Sequence, residues 1–365
     1  MAKRIDLDTS RRIDIVRIIL MSFVILAHTG RGFVSYVPNM EPTAAYIYEI
    51  FNNNVCYITV PLFFSISGYL FMRSFTLTPS AYFTMCKKKF ITVFIPFLLF
   101  NLIWLLWIYF IGSIPNMGTK NFILQQGIFV KLFGINTLPI NYPLWFLRDL
   151  LIIFAVSPVF ILIFNEIRYL GLLLLYYLWM TQNPTLAFTL YGHAFFFYLG
   201  GIFSRQELPI GESTKIEKLI IPLYLAVLFF LTIDQHFGLD QLTTMYIFKA
   251  NMVLGVFFLW CISRFDVIKN NKLLEFTARY AFFIYLAHEP TLSFLQKFIS
   301  TFFTPTNSAT QLLYYFGSCI ATMAIALCIG MALEKTVPSV YAFATGARMP
   351  RKDCHAKDVK KENPA

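Results

Sequence analysis

The chain has 365 residues, 58% of them hydrophobic and only 13% charged, with 30 Lys and Arg against 19 Asp and Glu. A soluble domain is usually about 25% charged, so water is not the solvent of most of this chain, and its 41 Phe and 20 Tyr suit helices that meet lipid and headgroups. The net charge of +11 does not point to nucleic acid, because the Lys and Arg fall between apolar runs instead of forming one basic face.

Apolar runs lie at 13–30, 46–72, 90–111, 144–164, 169–181, 186–203, 219–234, 244–263, 279–300 and 310–332. They predict an all-α polytopic membrane protein of about ten transmembrane helices. Residues 1–12 are then a basic N-terminal segment, 13–332 the membrane domain and 333–365 a basic tail. Lys3, Arg4, Arg11 and Arg12 before the first run resemble the start of a secretory signal, but no A-x-A site follows, so the run reads as a retained helix. The run 169–181 is short: thirteen residues reach about 20 Å across a core of about 30 Å.

An even number of spans puts both termini on one side. Segments on that side hold 24 of the 30 Lys and Arg; the other six are Arg31, Lys120, Lys131, Arg148, Lys249 and Lys297. The excess of Lys and Arg marks the cytoplasm, so both termini are expected there and the long loop from Gly112 to Pro143 outside. The tail, with Pro338, Pro350 and Pro364, is expected to be mobile, lipid-facing and without chemistry.

Ionisable groups inside spans cost about 2.5–3.5 kcal/mol each at the helix centre, so each needs a partner or a task. Arg17 and His28 lie eleven residues apart in the first run. At about 100° per residue, eleven steps leave roughly 20° over three turns and climb about 16 Å, so both share one face. Two readings fit: a polar passage through the bundle, or an arginine snorkelling to headgroups with a histidine capping the outer end. In the second run Ser67 and Gly68 are small enough for a helix or a ligand to approach closely.

Arg73 and the run Lys87, Lys88 and Lys89 satisfy the topology rule and would also attract a phosphate-bearing donor. Arg148 and Asp149 open the fourth run; neighbours at i and i+1 do not face each other on a helix, so each is expected to find a different partner. His288 and Glu289 lie about nine residues past Arg279, near mid-membrane. His193 and His236 read as structural or solvated. The six cysteines show no C-x-x-C spacing, so neither disulfides nor a metal site is predicted. H-E-x-x-H, G-x-S-x-G and P-loop patterns are missing, which excludes the common metalloprotease, α/β-hydrolase and nucleotide-hydrolysing readings.

Taken together these residues resemble the acyltransferase-3 family of multi-pass membrane acyltransferases, which includes surface-polysaccharide O-acetyltransferases. The resemblance covers most of residues 10–335. It rests on the Arg17-to-His28 spacing, on Phe63, Phe64, Ser67, Gly68 and Tyr69, on Trp145, Phe146 and Leu147, and on Tyr285, Leu286 and His288, all in family order. One departure stands out: many members carry an arginine shortly before the proline of the third helix, where this chain has Thr92 and Val93 before Pro96.

The resemblance implies a membrane-bound O-acyltransferase of the bacterial cytoplasmic (inner) membrane. It would move an acyl group, acetyl first of all, from a cytosolic acyl-CoA to a hydroxyl of a cell-surface or lipid-linked carbohydrate. Acetyl-CoA or another acyl-CoA is then the donor substrate, no cofactor stays bound, and the other partners are the carbohydrate and membrane lipids. His28 and Arg17 are the implied catalytic residues. Ser67, Arg73, Lys88, Lys89, Trp145, Arg148, Asp149 and His288 are the implied substrate- and donor-binding set. The alternative from another class is a transporter or flippase of lipid-linked sugars, which would also use a polar stripe through ten helices.

Overall fold

The computed structural model describes residues 6–37, 39–111, 127–182, 190–205, 215–237 and 240–349. Residues 112–126 of the outer loop, the tail beyond Met349 and the His236 side chain lie outside the described residues. Among the described residues the chain is entirely helical. Its helices are α1 (Leu7–Tyr36), α2 (Pro42–Ser74), α3 (Pro79–Phe110), the short α4 (Ile128–Phe133), α5 (Trp145–Ala155), α6 (Ser157–Met180) and α7 (Leu190–Arg205). They continue with α8 (Lys215–Phe237), α9 (Gln241–Ile262), the short α10 (Asp266–Lys269) and α11 (Lys272–Ala278), α12 (Ala281–Phe302), α13 (Ser308–Thr336) and α14 (Pro338–Ala344).

Six of these helices, α1, α2, α3, α6 (with the two segments either side of its bend taken together), α9 and α13, are long and apolar enough to cross a membrane. The other runs expected as spans are helical over their described residues, as α5, α7, α8 and α12. α12 falls outside the six because it carries His288, Glu289, Gln296 and Lys297 in one helix.

α6 is bent at Ile167, where φ is −135° and ψ 46°. A Cβ on Gly171 would lie 2.4 Å from Ile163 Cγ2, although eight residues of straight helix span about 12 Å. The chain therefore doubles back at Ile167, and the runs read as 144–164 and 169–181 are two helical segments. The buried Lys249 closes the second of them by donating to the terminal carbonyls of Trp179 (2.8 Å) and Met180 (3.1 Å).

α1 is covered on two sides. Ile13, Val16 and Leu20 pack into one core with residues of α2, α5, α6, α7 and α9, while Ile18, Met21 and Ile25 pack into a second core with α3, α12, α13 and α14. Both sets follow the 3-and-4 spacing of one helix face. α2 and α7 approach more closely than side chains allow: a Cβ on Gly68 would lie 1.8 Å from the Phe197 carbonyl oxygen, and one on Gly200 1.9 Å from that of Ser65. Backbone-to-backbone packing between glycines is a recurring way to join membrane helices, and it is the close approach expected at Gly68.

Both basic ends are folded over their described residues. Arg12 is 1% exposed, with Nε and Nη2 donating to the Ser263 hydroxyl, Nη2 to the Trp260 carbonyl and the guanidinium lying over the Trp260 ring. Arg11 pairs with Glu275 at 2.7 Å, and Asp8 with Lys269. Residues 7–12 are thus the first turns of α1, fastened to the α9–α11 corner by opposite charges. The described part of the tail is also folded: α14 packs on the bundle with Tyr341 1% exposed, because its aromatic face completes the second core.

Candidate active site

One face of α1, through Asp14, Arg17, Met21, Val24, His28, Arg31 and Val34, lines a cavity of about 950 Å³. These positions repeat at three and four residues, the spacing of a single helical stripe. Twenty residues rise about 30 Å, the thickness of a bilayer's hydrocarbon core. Arg17 and His28 thus lie on the same cavity wall, as their spacing predicts. α2 adds Tyr48, Asn52 and Cys56 to the lining, and its Glu49–Val55 stretch between them is wound as a π-helix. Wide turns of this kind cluster at functional sites.

At the far end from Arg17, His28 meets Tyr142 and His288. Its Nδ1 is 2.9 Å from the Tyr142 hydroxyl, which donates to Glu289 Oε2, also at 2.9 Å. The His288 ring stacks on the His28 ring, centroids 5.4 Å apart. The Arg31 guanidinium lies 3.9 Å from the centre of the Tyr142 ring, a cation–π contact.

A hydroxyl has one proton, and a carboxylate only accepts. With Glu289 ionised and accepting the Tyr142 proton, His28 Nδ1 donates to the phenolic oxygen and Nε2 keeps its lone pair. In that arrangement the free Nε2 lone pair can accept a proton. His288 is oriented by its own backbone: Nδ1 donates to the Tyr285 carbonyl at 2.6 Å. Glu289 is held from the other side by the Ser293 hydroxyl at 2.8 Å.

Tyr142 reaches this position because of Pro290. Proline has no N–H, so within α12 the Leu286 carbonyl loses its partner four residues on. The Asn141 amide donates to that carbonyl at 3.4 Å, and Asn141 N–H donates to Asn101 Oδ1 at 2.9 Å. The Tyr285 hydroxyl donates to the Pro143 carbonyl at 2.7 Å. The turn carrying Tyr142 is therefore tied on both sides to α3 and α12.

Trp145, Arg148, Asp149 and Ser67 also line the cavity. The expectation of separate partners for Arg148 and Asp149 is corrected: Arg148 Nε donates to Asp149 Oδ1 at 2.8 Å. The arginine stem is long enough to fold back at the start of α5, where its Nη1 also donates to the carbonyls of Gly134 (2.5 Å) and Thr137 (2.8 Å). Asp149 has a further partner in His193, whose Nδ1 is 3.1 Å from Asp149 Oδ2. The His193 ring is stacked between Phe64 and Trp145, so it braces a lining residue.

At the other end, Arg17 pairs with Asp14 at 3.1 Å, and Arg279 and Arg348 join the lining. Arg73, Lys88 and Lys89 are not among the lining residues: Arg73 donates to the Tyr69 hydroxyl, Lys88 is exposed and Lys89 lies over the Phe154 ring. The cavity thus gathers Arg17, His28, Ser67, Trp145, Arg148 and Asp149, with His288 against His28; Lys89 does not line it but lies near enough to feel the charges of Arg17 and Arg348.

Sequence reading missed Arg31 and Tyr142 and did not carry Glu289 into the site. Arg31 had a signal, since it follows His28 by three residues on the same face. Tyr142 had none, because its contacts to His28 and Glu289 cross 114 and 147 residues of chain.

A family model described as an acyltransferase domain matches residues 10–331. The chain belongs to this acyltransferase family. It is therefore an enzyme, a multi-pass membrane acyltransferase, and membership in the family favours that reading over the transporter or flippase. The chain is also 25% identical to the succinoglycan biosynthesis protein ExoH of Rhizobium meliloti (strain 1021) over 361 residues, covering 94% of each. No solved structure matches this acyltransferase.

Proposed function

We propose that this acyltransferase moves an acyl group, acetyl first of all, from a cytosolic acyl-CoA to a hydroxyl of a cell-surface or lipid-linked carbohydrate, within a bacterial cytoplasmic membrane. The observation that carries the reading is the single cavity along α1 from Arg17 to His28, which offers a cation at one end and a base at the other. The similarity to a protein of succinoglycan biosynthesis supports a carbohydrate acceptor. The distribution of 24 basic residues against six supports ten spans with both termini and the Arg17 end cytoplasmic, and His28 towards the outside.

In this reading the acceptor hydroxyl gives its proton to His28 Nε2 as its oxygen attacks the acyl carbonyl. The carbon–sulfur bond breaks, and the proton passes to the departing thiolate. Tyr142 and Glu289 hold the tautomer that makes Nε2 the base, and the Glu289 carboxylate answers the positive charge that forms on the ring. Arg17 grips negative groups of the donor with its planar fork.

Mass spectrometry of surface glycans from cells with and without the gene tests the proposal. The expected result is a mass difference of one acyl group; identical masses under expressing conditions reject it.

A further inference from the structure

The inner mouth of the cavity is lined by the guanidinium groups of Arg17, Arg279 and Arg348 and by the carboxylate of Asp14. Like charges brought together cost free energy unless an anion offsets them. Arg348 comes from outside the family-matched residues, which end at 331. A built turn carries it there. After α14 the chain takes left-handed backbone at Gly346 (φ 64°) and again at Ala347 (φ 63°), which is unusual for a residue with a side chain.

Gly346 has no alternative at its position, because a Cβ would lie 2.6 Å from Thr92 Cα and 2.7 Å from the Ile91 carbonyl oxygen. The Thr345 hydroxyl lies 3.0 Å from the Arg348 carbonyl and 2.8 Å from that of Tyr341, so its proton is shared between the end of α14 and the turn. The guanidinium then lies 3.7 Å from the centre of the Phe282 ring, and Nη1 donates to the carbonyls of Thr92 (2.5 Å) and Thr345 (3.0 Å). Both hydrogen bonds use Nη1, so among the described residues the Nε and Nη2 donors keep no protein acceptor. Withdrawal from bulk water and then the like charge of Arg17 bring Arg348 down to about 10, which agrees with two cations facing one space.

We propose that Arg348, delivered by the folded C-terminal turn, forms with Arg17 an anion clamp at the inner mouth that binds the phosphate groups of the acyl donor. This rests on the reading of an acyl-CoA donor and adds to it the site for its phosphates. It also gives Thr92 a role. No arginine lies between Arg73 and Pro96, and the guanidinium that bonds the Thr92 carbonyl comes from the tail.

The test measures equilibrium binding of coenzyme A, and of pantetheine as the same thiol arm without phosphates, to the full chain in phosphatidylcholine nanodiscs. Arg348→Ala and Arg348→Glu are expected to weaken coenzyme A binding roughly 10- to 100-fold, the loss typical of a charged hydrogen bond, with pantetheine binding unchanged. Arg348→Lys, which keeps the charge and the turn, is expected to recover part of the affinity and show unaltered thermal unfolding. Coenzyme A binding equal to wild type in Arg348→Ala would overturn the clamp and leave the donor reading intact. Equal losses for coenzyme A and pantetheine would overturn it too, by showing that Arg348 only braces the fold. Wild-type protein that binds no coenzyme A at all would remove the donor reading together with the clamp.

Discussion

The Tyr142 hydroxyl stands 2.9 Å from His28 Nδ1 and 2.9 Å from Glu289 Oε2, joining a histidine of α1 to a carboxylate of α12 through one phenolic oxygen. Tyr142→Phe removes that link and keeps the ring on which Arg31 rests. Its kcat is expected to fall about 10- to 100-fold with KM little changed, as for loss of a hydrogen bond to a charged group. Combined with Glu289→Gln it is expected to cost no more than the worse single change, because both break the same link. Multiplicative losses, measured as labelled acyl transfer in membranes, would mean that the two residues act separately.

His28→Ala is expected to lower acyl transfer by about 10² to 10⁴, the usual worth of a general base. Insertion and donor binding should be retained. Binding of labelled donor beside the transfer assay decides the point: a variant that no longer binds donor would move His28 to the donor site.

Arg17→Lys is not expected to restore activity. Lysine keeps the charge but loses the planar fork that holds two oxygens at once. Donor KM measured for Arg17→Lys and Arg17→Ala should rise in both; a wild-type value in the lysine variant would show that charge alone suffices.

Gly68→Ala should loosen the α2–α7 contact, since the added Cβ would meet the Phe197 carbonyl at 1.8 Å and backbone must move. Overpacking of this kind typically costs about 1–3 kcal/mol. Thermal unfolding in detergent should show a lower midpoint for Gly68→Ala and for Gly200→Ala, whose Cβ would meet the Ser65 carbonyl. Unshifted midpoints would mean that the helices are not in contact as described.

A cysteine in place of Asn136, in the exposed turn after α4, is expected to react with an impermeant reagent on intact cells. One in place of Lys272, at the start of α11, should react only after permeabilisation. The reverse pattern would invert the orientation.

Much of the protein was legible in its sequence because lipid imposes local rules. Apolar runs must be helical to satisfy their own backbone, so the all-helical fold followed from composition and length. The shared face of Arg17 and His28 followed from helical geometry alone. Ser67 and Gly68 could be read as a place of close approach, though not that Phe197 and Gly200 were what approached.

Tertiary structure decided what depends on contacts distant in the chain. Tyr142 lies beside His28 because Pro290 frees the Leu286 carbonyl and Asn141 takes it, a chain of consequences across three elements. Arg148 bonds its own neighbour because its flexible stem can fold back at a helix start, where the rule for helix faces does not hold. Arg348 reaches the cavity from a tail whose local pattern of prolines and charges suggested no structure, because the bundle offered Tyr341 a buried place. Periodicity reports which face a side chain occupies; only the packed bundle determines which faces meet.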